Sequence, residues 1–100
     1  MTFSVRQSEQ NNTITVLTGS RFDFNSHKVF RDAYLNADPS SNFIIDMKNT
    51  SYMDSSALGM LLLLREYAGG GNASIVITNC DAEILKVLQI SNFDQLFNIS

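Results

Sequence analysis

Asp54, Ser55 and Ser56 set a carboxylate beside two hydroxyls in the stretch Met53 to Gly59, which directly precedes the apolar run Met60-Leu61-Leu62-Leu63-Leu64. Such a group can cap a helix, carry a modifiable hydroxyl, or supply the nucleophile of a hydrolase. Side-chain oxygens of Asp and Ser accept hydrogen bonds from the backbone N–H groups that the first helical turn leaves unpaired. The motif therefore predicts a helix start, with a serine held at the surface at the electropositive helix end.

The hydrolase reading needs a base and an orienting group within reach of the nucleophile. The single histidine, His27, lies near the start of a different predicted helix, and Ser55 is not in a Gly-x-Ser-x-Gly elbow. His27 reads as a solvated helix-surface residue, and no catalytic residue is assigned. Metal chemistry fails on ligand supply, because one His and one Cys far apart make no zinc or iron cluster. Cys80 reads as a small hydrophobe at the end of a strand. Gly69-Gly70-Gly71 follows a helix and precedes a strand, the reverse of the order that aims N–H groups at phosphate, and so reads as a C-cap and turn. The Asp-Ser-Ser group keeps two readings on its residues alone, cap only or cap with a regulated hydroxyl, and capping is the commoner use.

The flanking segments supply the elements that must position this group. Phe3 to Gln7 alternates apolar and polar residues, and Thr13-Ile14-Thr15-Val16-Leu17 is rich in β-branched side chains, which predicts a hairpin turning at Gln10-Asn11-Asn12. Val29, Phe30, Ala33, Tyr34 and Ala37 form a helical stripe, capped by Asn25 or Ser26 and stopped by Asp38-Pro39. Phe43-Ile44-Ile45-Asp46-Met47 reads as a central strand covered on both faces. A helix from about Ser56 to Ala68, a buried strand Ala73 to Thr78, and a helix capped by Asp81 with Ile84, Leu85, Val87 and Leu88 on its apolar side follow. A short strand near Leu96-Phe97-Asn98-Ile99 closes the order β-β-α-β-α-β-α-β. This is a single α/β domain over residues 1–100, its sheet covered by helices. Phe22 and Phe24, in the loop after Leu17-Thr18-Gly19, read as core residues with a partner-facing role as the alternative.

Composition bounds the partners. With 7 Lys and Arg scattered along 100 residues and a net charge of −3, no basic patch stands out to meet nucleic acid. The longest apolar run falls far short of the roughly 20 residues that span a bilayer. No signal-peptide pattern opens the chain, and one cysteine forms no internal disulfide. A cytoplasmic setting, without membrane or nucleic-acid partner and without cofactor, is the expectation.

The segment Phe43 to Gly59, an apolar strand ending in Asp46, a short loop and then Asp54-Ser55-Ser56-Ala57-Leu58-Gly59, resembles the signature of STAS domains, the anti-sigma factor antagonists. Ala57 stands where the family usually has glycine. The resemblance covers nearly the whole chain and implies a mixed sheet of four to five strands with helices packed on it; the family's frequent further C-terminal helix has no counterpart before Ser100. It also implies partner switching by a protein that is not an enzyme. An anti-sigma factor with serine kinase activity phosphorylates the serine after the aspartate, here Ser55 with Ser56 as the alternative. A PP2C-type phosphatase reverses it. Asp54 would position the hydroxyl; Met53, Asp54, Ser56, Ala57 and Gly59 would meet the partner, in a monomer or weak dimer. The alternative is a non-switching STAS scaffold subunit of a stress complex or a transporter ATPase.

Overall fold

A computed structural model describes residues 3–8 and 12–100. Its elements in chain order are β1 (Ser4–Ser8), β2 (Thr13–Leu17), β3 (Arg21–Phe22), a 3-10 turn (Phe24–Ser26), α1 (His27–Leu35), β4 (Asn42–Asp46), β5 (Tyr52–Met53), α2 (Ser55–Tyr67), β6 (Ser74–Thr78), α3 (Ala82–Ile90) and β7 (Asn98–Ile99), with further 3-10 turns at Gly70–Asn72 and Phe93–Gln95. The predicted turn at Gln10-Asn11-Asn12 lies largely outside the described residues.

The main sheet has the order β1-β2-β4-β6-β7, with β1 antiparallel to β2 and every other neighbour parallel. The order runs one way across the sheet. Right-handed crossovers stepping in one direction put all their helices on one side, and the burial pattern agrees. Ile14, Phe43 and Ile75 lie in one register row and Val16, Ile45 and Ile77 in the next, all buried beneath the helices. The opposite row Thr15, Ile44 and Val76 is half-exposed. The expectation that β4 is covered on both faces is therefore corrected: one face is covered. The run Phe43-Ile44-Ile45 looked doubly buried because Ile44 is apolar, yet it alternates with its neighbours in burial.

An aromatic seam locks the first two helices together. Phe22 packs on Phe30 with ring centroids 4.9 Å apart, Phe30 on Tyr34 at 5.6 Å, and Tyr34 on Tyr67 of α2 at 5.2 Å. The Tyr67 hydroxyl also donates to the carbonyls of Leu35 and Ala37, satisfying the α1 C-terminus ahead of Pro39. The glycine turn after α2 forms as its sequence requires, with positive φ at Gly69 (110°) and Gly70 (61°). The helical stripe of α1 is narrower than predicted, for Phe30 and Tyr34 are buried whereas Val29 is exposed. In α3, Ile84 and Leu88 are buried and Val87 is exposed.

Candidate functional site

The C-terminal ends of the parallel strands and the start of α2 meet at one edge of the sheet. Two short strands unpredicted from the sequence, β3 and β5, pair there in parallel, Arg21 with Tyr52 and Phe22 with Met53. At two residues each they are too short for a period-2 pattern, and their pairing is long-range. The carbonyl of Ser20 accepts from Ser51 N–H (3.0 Å) and Tyr52 N–H (3.2 Å), and that of Phe22 from Asp54 N–H (3.3 Å). Beneath them the hydroxyls of buried Thr18 and Thr50 share a hydrogen bond, and Thr50 Oγ1 is 2.7 Å from the Gly19 carbonyl. The Arg21 guanidinium lies over the Tyr52 ring, 4.2 Å from its centroid.

Asp54 is the N-cap of α2, in extended conformation. Its Oδ1 accepts the backbone N–H of Ala57 at 3.2 Å, and its Oδ2 accepts that of Phe24 at 3.2 Å. The carboxylate thus spends both oxygens on backbone and ties the loop before α1 to the start of α2. Among the described residues no hydrogen bond joins Asp54 to a Ser55 side chain. Whatever positioning Asp54 gives the hydroxyl runs through the turn it fixes.

Ser55 is the first residue of α2 and is exposed, whereas Ser56 is half-buried. Met53 and Asp54 are half-buried, and Gly59, one turn beyond Ser55 on the same helix face, is exposed. Ala57 departs from the expected set of contact residues: it has no exposed surface and sits in the core, where the small side chain lets α2 settle on the sheet. The family resemblance put it in the contact set but could not say that residue 57 turns inward. The other four expected contact residues keep some exposed surface, as Ser55 does.

The loop that Asp54 grips is itself capped. Ser26, one of the two expected caps, is the N-cap position of α1 but makes no side-chain cap hydrogen bond. The side-chain cap comes from Asp23, ahead of the 3-10 turn. Asp23 Oδ1 accepts Asn25 N–H (3.1 Å), Ser26 Oγ accepts Asp23 N–H (3.1 Å), and the Arg21 side chain pairs with Asp23 Oδ2 at 3.2 Å. This capping box opens a 3-10 turn that runs into α1, so the cap lies one turn upstream of where the apolar stripe begins. Phe22 and Phe24 part company here. Phe22 is fully buried, and Phe24 is 74% exposed, beside the α2 cap. Only the first of the two core assignments holds.

The other chemistry-bearing residues stay apart. His27 is exposed at the start of α1. Among the described residues no group of three His, Cys, Asp or Glu could hold a metal ion, and no helix is long and apolar enough to cross a membrane. Burial, with a smaller push from the Asp81 charge, raises the Cys80 thiol pKa above its ordinary value, which makes it a poor nucleophile. The Asp81 carboxylate caps α3 through Ile84 N–H at 2.9 Å.

Residues 4–100 match the STAS domain family model. The chain belongs to the STAS domain family. A STAS-domain containing protein of Pseudomonas aeruginosa (strain UCBPP-PA14) is 48% identical over 101 residues, covering 100% of both chains. Among solved structures, the anti-sigma factor antagonist SpoIIAA in its unphosphorylated form superposes with a TM-score of 0.78 at 17% identity, over 99% of this chain and 88% of that one. The Bacillus cell fate determinant SpoIIAA in the phosphorylated form gives 0.71 at 17% identity, over 99% and 91%. The α/β architecture with a five-stranded mixed sheet and three helices is that of the SpoIIAA STAS fold.

Proposed function

We propose that this STAS protein is an anti-sigma factor antagonist that works by partner switching, with Ser55 as its phosphoacceptor. The observation that carries the reading is the placement of Ser55: exposed, first in α2, on a turn that the Asp54 carboxylate fixes from both sides. Unphosphorylated, the protein binds an anti-sigma factor with serine kinase activity through Met53, Asp54, Ser56 and Gly59; phosphorylation of Ser55 releases it, and a PP2C-type phosphatase resets it. The protein itself carries out no catalysis and acts in the cytoplasm as a monomer or weak dimer.

The energetics suit a switch that spares the fold. A phosphate adds about −1.5 to −2 charges. At a helix start the dipole favours that charge by roughly 0.3–1 kcal/mol, while the neighbouring Asp54 opposes it. In an interface the same charge must be desolvated and faces groups chosen for a neutral hydroxyl, which costs several kcal/mol. Each 1.4 kcal/mol is about tenfold in affinity. The test is calorimetric titration with the cognate kinase: Ser55→Ala should bind as the unmodified protein does, and Ser55→Asp at least about tenfold more weakly. Equal binding by both would instead support a non-switching scaffold subunit.

A further inference from the structure

The sheet face that the helices leave bare carries a polar hollow of about 200 Å³ at the carboxyl ends of β2 and β4. Ser4, Arg6, Thr15, Leu17, Asp46 and Lys48 are among its lining residues. The register sets Thr15 opposite Arg6, and places Leu17 between Ser4 and Asp46. The strand members alternate with buried Val16 and Ile45, so their side chains share the open face. Lys48 follows at once. Its backbone N–H donates to Asp46 Oδ1 at 3.0 Å, which fixes the loop after β4.

Elsewhere Arg21 pairs with Asp23, Lys28 pairs with Asp32, and Arg65 donates to the Leu96 carbonyl. The side chains of Arg6 and Lys48 have no partner among the described residues, nor do the hydroxyls of Ser4 and Thr15. Asp46 turns its Oδ1 to the Lys48 N–H and to Asn79 Nδ2, on the β6 side, each at 3.0 Å. Two cations against one carboxylate leave an excess of positive charge here, in a chain whose net charge is −3. Such a set of donors suits an oxyanion. A guanidinium fork takes two phosphate oxygens at once, and an ammonium adds a point charge. A carboxylate offers this set only two oxygens, whereas a phosphate monoester offers three and carries about −1.5 to −2 charges. Size limits the rest of the ligand. Drug-sized molecules fill clefts of roughly 300–1,000 Å³, and no aromatic ring lines this smaller hollow for a nucleobase to stack on.

We propose that this hollow binds a phosphate dianion, free or as the monoester of a compact organic molecule. Arg6 and Lys48 clamp its charge, and Ser4 and Thr15 donate from their hydroxyls. The site is separate from Ser55 and stands whether or not the partner-switching reading does.

The experiment is an NMR titration of the isotope-labelled full chain, with inorganic phosphate in one arm and glycerol phosphate in the other. Sodium chloride holds the ionic strength constant, so that screening is the same throughout. The expected result is saturable shifts in the amide resonances around Arg6, Thr15 and Lys48 in at least one arm. The arm of higher affinity tells which source of phosphate the site takes. Arg6→Gln and Lys48→Gln should each bind that probe about tenfold more weakly, with the resonances of the helices in place. Arg31→Gln removes an exposed cation from α1 and should bind as the wild type does. No saturation in either arm, wild-type affinity in both clamp variants, or an equal loss in Arg31→Gln would each overturn the proposal.

Discussion

Asp54 Oδ2 accepts the backbone N–H of Phe24 across 30 residues of sequence, while its Oδ1 caps α2 at Ala57. One carboxylate therefore holds two elements at the surface where Ser55 stands. Asp54→Ala should lose the cap, about 0.5–2 kcal/mol, together with the tie to the loop. Urea unfolding would read this as a lower midpoint with the slope unchanged. Asp54→Asn keeps an acceptor for one N–H and should lose less.

The hydroxyl pair beneath the site has a different vulnerability. Thr18 and Thr50 are buried, and Thr50 reaches both the Thr18 hydroxyl and the Gly19 carbonyl. Thr50→Val keeps the shape, removes the donor to the Gly19 carbonyl and leaves the Thr18 hydroxyl with only its 3.4 Å bond to the Asp46 carbonyl, which should cost about 1–3 kcal/mol. Thr18→Val/Thr50→Val together should cost less than the sum of the single changes, checked by a double-mutant cycle in urea.

Much of this architecture is legible in the residues. The β-branched run Thr13 to Leu17 forms the strand it predicts, Asp81 caps its helix, and Asp54-Ser55-Ser56 starts α2 at the surface. What escapes the sequence is set by distant partners. The two-residue strands β3 and β5 exist because residues some 30 positions apart meet. Phe22 and Phe24 share a parity that should give them one fate in a strand, but the chain leaves β3 at Asp23 and turns the second ring outward. Ile44 looks like core and lines the open face, since only topology says which side the helices take. Ala57 reads as a surface member of the motif until the helix phase points it inward.

Cys80 gives a test with a sign. Burial raises its thiol pKa, so the folded chain holds that proton more tightly than the unfolded chain. The contribution to stability is whole below the unfolded value, about 8.5, and fades as pH rises through the folded value. Tyr34, also raised chiefly by burial, acts in the same direction above about 10. Alkylation by iodoacetamide at pH 8 should be several-fold slower than for a free thiol and should reach the free rate in urea. Cys80→Ala should flatten the alkaline fall of stability.

Phosphorylation of the helix start should leave the fold nearly untouched, because the dipole's attraction and the repulsion from Asp54 oppose each other. A change under about 1 kcal/mol corresponds to a Tm shift of no more than roughly 4–8 °C for a domain of this size. Differential scanning calorimetry of the modified and unmodified protein should find a shift within that range; unfolding on modification would contradict the account.

Mapping the modified residue tests the central claim most directly. After incubation with the cognate kinase and ATP, peptide mass spectrometry should place one phosphate on Ser55, and none should be added to Ser55→Ala. A phosphate on Ser56, or none on the wild-type protein, would contradict it.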